Sequence, residues 1–299
     1  MYDIVIIGGG PAGLTAATYA QRAGKSSLVI EKNGFGGQIS WSPKVENFPG
    51  FVSISGAELG DRLLEQAMEQ GADVELDEVT AIEDGETKLV KCLSGAEFEA
   101  KAVIIATGAK PRLLGLPKED ELIGNGVGFC AVCDGAFYKG KDVAVNGGGN
   151  SALQDAILLS ETCRKVYIIH RRDTFRGEAK LVDTLRKREN VEFVLNASIE
   201  ALEGEVELTG VTVTGGRKIA LDGLFVAIGH EPDNGVFSDL IELDDKGYST
   251  SDERCLTKTP GIFTAGDCRR KQVRQVTTAV ADGATAALAA CSYIDSKEL

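Results

Sequence analysis

Cys130-Ala131-Val132-Cys133-Asp134-Gly135 places two thiols either side of a two-residue spacer, with a carboxylate directly after them and a glycine that lets the chain turn. A pair at this spacing closes a strained, reducible disulfide, and the neighbouring acid exchanges protons with a thiolate. Two other readings compete, a buried inert pair and half of a zinc site. Zinc needs two further ligands. The seven cysteines include no second close pair, and the two histidines are His170 and His230. The remaining cysteines read as small core or surface residues, Cys268 among them although it follows Asp267.

A redox dithiol needs a source of electrons, and two glycine-rich turns supply candidate nucleotide sites. The apolar run at 3–7 leads into Gly8-Gly9-Gly10-Pro11-Ala12-Gly13, then a helical segment at 14–23 closed by Gly24, then a strand at 27–30 that ends at Glu31. In this arrangement Gly8 makes the tight turn, Gly10 lets a pyrophosphate approach the backbone, and Gly13 lets helix and strand pack closely. Glu31 lies 23 positions after Gly8, where an acid binds a ribose diol. The pattern returns at Gly147-Gly148-Gly149-Asn150-Ser151-Ala152, between strands at 142–145 and 166–169. Counting 23 positions from Gly147 reaches His170, followed by Arg171 and Arg172, with Arg176 close behind. An acid repels a 2′-phosphate, whereas guanidinium groups bind one bidentately. The first site therefore suits a dinucleotide with a free diol and the second suits NADPH.

The intervening elements position these loops. Gly34-Phe35-Gly36-Gly37-Gln38, directly behind Glu31, is placed to cover a pyrophosphate, and Val45-Glu46-Asn47-Phe48-Pro49-Gly50 follows. An amphipathic helix is expected over 57–70, with Leu59, Leu63, Leu64 and Ala67 on one face. A small antiparallel sheet is expected over 74–100, and a separate buried strand over 102–106 that ends in Thr107-Gly108. Pro111 and Pro117 mark a crossing between domains. Residues 191–219 read as a second meander, and the strand at 224–228 ends in Gly229-His230 as its counterpart ends in Thr107-Gly108. A second crossing follows Pro232, and a strand running to Gly266-Asp267 can present a carboxylate to a polyol chain. The last helix, at 274–294, is alanine-rich and should pack on the first domain. The expected fold is α/β: two Rossmann-like (three-layer ββα) nucleotide-binding domains, one inserted into the other. The first domain comprises 1–111 and 235–299, and the inserted one 112–234.

The chain of 299 residues is long enough for two such cores, and its 43% hydrophobic and 26% charged residues are ordinary for a globular protein. The 36 glycines cluster where strands meet helices. A formal net charge of −13 disfavours nucleic acid or an anionic membrane as partner. No apolar run approaches the roughly 20 residues of a membrane span. The strand that begins at Ile4 leaves no room for a basic leader. A cytoplasmic location is expected, where a close cysteine pair is redox-active rather than structural.

These motifs together resemble the low-molecular-weight thioredoxin reductases along essentially the whole chain. The residues that carry the resemblance are Gly8 to Gly13, Gly36-Gly37-Gln38, Glu46 to Gly50, Cys130 to Gly135, Gly147 to Ala152, His170-Arg171-Arg172 with Arg176, Gly266-Asp267, and Arg274-Gln275 followed by Ala279, Asp282 and Gly283. Asn146 departs from the pattern, standing where such strands usually end in an apolar residue. The resemblance implies FAD in the first domain, with Gln38, Asn47, Asp267 and Gln275 as contacts. The FAD set otherwise comprises Gly8, Gly10, Pro11, Ala12, Gly13, Glu31, Gly37, Thr107, Gly108, Gly266, Arg274 and Val276. NADPH would take Gly147, Gly149, Asn150, Ser151, Ala152, His170, Arg171, Arg172, Arg176 and Gly229. It further implies a homodimer, thioredoxin as the acceptor, and an inserted domain that rotates between two states; Asp134, beside the dithiol, is the expected general acid. The alternatives are a flavin disulfide reductase serving another acceptor, such as a peroxidase partner, or one drawing on a donor such as ferredoxin. The arginines after His170 argue against ferredoxin. A non-catalytic flavin-binding module would have little use for the dithiol.

Overall fold

The strand β1 (Tyr2–Ile7) is fully buried from Ile4 onward, the pattern of a strand covered on both faces. A computed structural model describes residues 1–298. The helix α1 (Pro11–Arg22) starts on a proline whose ring presets the helical φ, and Gly24 closes it at φ +73°. It leads to β2 (Ser27–Glu31), which pairs parallel with β1. The helix α2 (Gly56–Glu69) is capped by the Ser55 hydroxyl, which accepts from the Glu58 N–H at 3.1 Å. It buries Leu59 and Ala67 and leads to β3 (Asp73–Leu76), parallel to β2. β4 (Val79–Glu83) and β5 (Lys88–Cys92) form an antiparallel pair, followed by β6 (Glu97–Ile105).

This corrects the expected meander over 74–100. Its first strand joins the parallel sheet, and its last residues run without a break into the buried strand. The first half of β6 is partly exposed and pairs antiparallel with β5, while Ala102–Ile105 are all buried beside β1. One strand thus serves a one-faced ribbon and a two-faced core in turn.

Two compact units result, Met1–Lys110 with the segment from Glu231 onward, and Pro111–His230. The outgoing crossing contains β7 (Ala109–Pro111). Just beyond it, the buried carboxylate of Glu119 accepts the Leu114 and Gly115 N–H groups at 2.8 Å each and fixes the start of the second unit. That unit runs through α3 (Glu119–Leu122), β8 (Val127–Gly128), α4 (Ala131–Asp134), β9 (Asp142–Asn146), α5 (Asn150–Ser160), β10 (Lys165–His170), α6 (Ala179–Arg186) and β11 (Val191–Leu195). An antiparallel three-stranded sheet follows, β12 (Ile199–Glu203), β13 (Gly210–Val213) and β14 (Arg217–Ala220), and then β15 (Gly223–Val226). The parallel sheet has the order β11-β10-β9-β15-β8. Here too the first strand of the expected meander, β11, belongs to the parallel sheet.

The return crossing is β16 (His230–Pro232), which pairs with β7 as a short ribbon. Asn234 lies beyond it, within the first unit, which resumes at Glu231. β17 (Ile262–Thr264) then pairs parallel with the end of β6, and α7 (Val276–Glu298) packs on α1. Ala16, Ala17 and Ala20 of α1 and Ala286, Ala287 and Ala290 of α7 share one buried cluster. These small side chains let two helices approach closely. Gly283 is required there, because a Cβ would come within 2.1 Å of the Ala12 carbonyl oxygen. The strands β3-β2-β1-β6-β17 of the first unit correspond to β11-β10-β9-β15-β8 of the second. The final strand comes last in the first unit and first in the second, since an inserted chain must enter and leave at neighbouring points.

Candidate active site

Cys130 and Cys133 are joined by a disulfide, with Cα atoms 5.3 Å apart. The single turn α4 places them at its start and third residue. The Cys133 N–H lies 3.2 Å from Cys130 Sγ, and the Asp134 N–H donates to the Cys130 carbonyl at 3.1 Å. Ala131 between the thiols is buried in the core formed with Val143, Val145 and α5, whereas Val132 is 61% exposed. The turn is therefore anchored by one side chain and open on the other. Behind it, Gly135 sits so close to Leu159 of α5 that a Cβ would lie 3.0 Å from Leu159 Cδ2. Burial, and after it the Asp134 and Asp222 charges, push the Tyr138 hydroxyl up to about 12. Cys92, Cys163, Cys255, Cys268 and Cys291 are all buried and unpaired. Burial pushes the Cys268 thiol up to about 11, which leaves it unreactive. Among the described residues, no group of three or more His, Cys, Asp or Glu is placed to hold a metal.

In the first unit the Gly8–Gly13 turn is shaped by close approaches. Gly8 has φ +110° and would meet the Ala106 carbonyl oxygen at 2.3 Å with any Cβ; Gly13 would meet the Gly8 oxygen at 1.9 Å. Gly10 has only Gly37 Cα near, at 3.9 Å, so its outer side is open to a ligand. Glu31 accepts the Gly9 N–H at 2.7 Å through one oxygen and the Asn33 N–H at 2.9 Å through the other. Each carboxylate oxygen keeps acceptor capacity for a diol. The loop at 34–38 lies on this turn, with the Gly36 N–H donating to the Gly9 carbonyl at 2.8 Å. The Gln38 amide donates to the Ala109 carbonyl. The Asn47 amide donates to Gln275 at 3.2 Å, and Val276 joins Phe48 and Phe51 in a small apolar cluster.

Gly266, at φ +78°, reaches the start of α1, where a Cβ on it would lie 2.8 Å from the Ala12 methyl. The next residue, Asp267, has a buried Oδ1 with no hydrogen-bond partner among the described residues, and buried Arg274 Nε is in the same condition. Burial raises the Asp267 carboxyl above its usual range against the opposing pull of Lys271 and Arg274. Natural proteins seldom leave buried polar atoms unsatisfied. An orphaned acceptor beside an open glycine turn fits a hydroxyl-bearing dinucleotide.

The second turn repeats the first with different chemistry. A Cβ on Gly147 would come 2.4 Å from the Ala227 oxygen, and one on Gly148 would enter the His170 ring. His170 thus occupies the register position of Glu31, but it is buried beneath the glycine turn. It stacks on Phe175 at 5.2 Å, with Nε2 3.1 Å from the Thr174 oxygen. Burial, and then the Arg172, Arg171 and Arg176 charges, hold its pKa below the usual value against that one hydrogen bond. Those three arginines are exposed and pair with no carboxylate among the described residues. Asn150 accepts the Glu178 N–H at 2.8 Å and donates to its carboxylate at 3.0 Å, tying α5 to the turn that carries Arg176. Ser151 is exposed at the start of the helix and Ala152 buried behind it, while Gly229, at φ +117°, begins the return crossing.

Asn234 was not legible as a site residue in the sequence. Fully buried, it donates to the Gly247 and Cys268 carbonyls at 2.9 Å each and accepts from the Thr107 hydroxyl at 3.1 Å. It braces the Thr107-Gly108 strand end against the segment carrying Asp267. Its position just past Pro232 was the available signal.

Two dinucleotide turns and a disulfide on an open turn, in two units of like topology, define a nucleotide-dependent disulfide oxidoreductase. The profile of the family described as pyridine nucleotide-disulphide oxidoreductase matches residues 2–283, and the chain belongs to that family. It is 42% identical to a thioredoxin reductase of Listeria monocytogenes, covering 99% of this chain and 94% of the relative. To a thioredoxin reductase of Bacillus subtilis it is 43% identical, over 99% and 95%. The crystal structure of thioredoxin reductase from Streptococcus pyogenes superposes with a TM-score of 0.93 at 40% identity, over 99% of each chain.

Proposed function

We propose that this protein is an NADPH-dependent thioredoxin-disulfide reductase that holds FAD in the first unit and NADPH in the second. The observation that carries the reading is the Cys130–Cys133 disulfide on its open turn, in a chain that also builds two dinucleotide cradles. When bound, FAD supplies a two-electron relay between NADPH and that disulfide. Asp267 accepts a hydroxyl of the flavin's polyol chain, and Glu31 takes the ribose diol. Arg171, Arg172 and Arg176 take the 2′-phosphate of NADPH. The Cys130–Cys133 bond would receive an electron pair and open to two thiolates; Asp134 would protonate the one that leaves, and a second proton from solvent completes the dithiol. One of these sulfurs attacks the disulfide of thioredoxin, the mixed disulfide is resolved by the other, and the internal bond re-forms. Thioredoxin sits at about −270 mV, so the internal couple must lie close to or below that value for electrons to flow outward.

The inserted unit turns about the two crossings, bringing the dithiol and NADPH to the flavin in turn. The assembly is a homodimer, which sedimentation would reveal. The compartment is the reducing cytoplasm, where one close pair among buried free thiols is the expected usage. Cys133→Ser tests the scheme: NADPH should still bleach the flavin while thioredoxin reduction falls to background. Continued thioredoxin turnover in that variant would sink the scheme.

A further inference from the structure

We infer that Asp282 is a positioning residue for the first nucleotide site: it draws Arg269 and Lys271 to itself and ties down the Gly266 N–H, so that the Asp267 carboxylate stays unpaired for a hydroxyl of the flavin's polyol chain. This rests on the flavin reading of that site and adds a residue to which that reading gives no role. The cluster holds two acids, Asp267 and Asp282, and three cations, Arg269, Lys271 and Arg274. A single oxygen of Asp282 lies 2.9 Å from Arg269 Nη1, 2.9 Å from Lys271 Nζ and 3.1 Å from the Gly266 nitrogen. Both cations are nine-tenths or nearly so withdrawn from solvent. Asp267, the residue after Gly266, has no partner on Oδ1 although Lys271 and Arg274 are near enough to pull its pKa down.

A buried carboxylate next to unneutralised cations forms an ion pair with them unless another anion holds them. The two cations held by Asp282 differ in their other attachments. Arg269 also donates to the Ser251 hydroxyl at 2.7 Å and the Asp252 carbonyl at 2.5 Å. Among the described residues Lys271 has only the Thr278 carbonyl besides, at 3.4 Å. Without the Asp282 charge, Arg269 stays in place while the flexible Lys271 swings to Asp267 and occupies the acceptor. The cost falls on cofactor binding although none of the residues touching the cofactor has changed.

Titration of apoprotein with FAD, followed by flavin fluorescence, tests this. Asp282→Asn keeps an acceptor for the Gly266 N–H and removes the charge, and is expected to weaken FAD binding about tenfold or more, the scale of one charge-assisted hydrogen bond. Lys271→Met alone is expected to stay within about twofold of the unsubstituted protein, and the double variant to return to within about threefold of Lys271→Met. Unchanged affinity in Asp282→Asn overturns the inference. So does a double variant that binds as weakly as Asp282→Asn, or fails to fold, because Asp282 would then only hold the helix in place. Should Asp282→Asn alone prove insoluble, the double variant against Lys271→Met makes the same comparison, and a gap of about tenfold between them overturns it. Failure of the flavin reading itself is distinguishable, since the unsubstituted apoprotein would then take up no FAD.

Discussion

Asp155 shows what burial does to a single side chain in this protein. It lies half-buried on α5 with no hydrogen bond or ion pair among the described residues, and burial alone pushes its carboxyl up to about 7. In the unfolded chain the group releases its proton near pH 4. Between about pH 4 and 7 the folded state therefore binds the extra proton, and stability falls as pH rises. Above the folded pKa the full cost applies, at most about 4 kcal/mol. Asp155→Asn should leave the unfolding temperature nearly unchanged at pH 4 and raise it by several degrees at pH 8, which calorimetry at the two values checks. An equal shift at both would mean that the gain comes from packing. Asp155 escaped sequence reading because burial, not residue type, makes it unusual. The dithiol and the fingerprint glycines were legible because their chemistry is local. Asn234 was not, since its partners lie 13, 34 and 127 positions away.

At the scale of elements, the long apolar strands and the helices after the glycine turns were read correctly from pattern. The edge strands were not. β3 is mostly exposed and β11 mostly half-buried, because an edge strand has a neighbour on one side only. In short runs that looks like the alternation of a meander. The turn after β10 is where register alone suggests a function: Arg171, Arg172 and Arg176 follow a buried histidine and face solvent with no acid paired to them among the described residues. If they read a 2′-phosphate, the double variant Arg171→Ala with Arg172→Ala loses charge-assisted hydrogen bonds of about 1.5–3 kcal/mol each. KM for NADPH should rise by about a hundredfold or more, while kcat/KM for NADH stays within about threefold. Steady-state kinetics with both nucleotides decides it. Equal losses for NADPH and NADH would assign the arginines to folding or to the pyrophosphate instead.

At the scale of the whole molecule, the recurrence of one fingerprint made the insertion of one unit in another legible, and two crossings, each marked by proline, connect the units. The crossings also carry glycines with a particular conformational demand. Gly108 has φ +70° and Gly229 φ +117°, and a Cβ on Gly108 would meet nothing within 4 Å, while one on Gly229 would meet only Arg112 Cδ at 3.8 Å. Steric crowding does not explain them, so backbone freedom does. If the inserted unit turns about these crossings, a side chain at Gly229 penalises the orientation that holds this φ and spares any in which the φ becomes negative. The penalty of about 1–2 kcal/mol shifts the balance between orientations by about five- to thirtyfold. Gly229→Ala should therefore change thioredoxin turnover by about that factor with FAD affinity retained and, although Gly229 is also a candidate NADPH contact, with a smaller change in NADPH affinity. Equilibrium titrations with each nucleotide and steady-state assays separate the two effects. Turnover and both affinities all within about twofold of the unsubstituted protein would show that this glycine is no hinge. A fall in NADPH affinity matching the fall in turnover would instead place Gly229 in the nucleotide site.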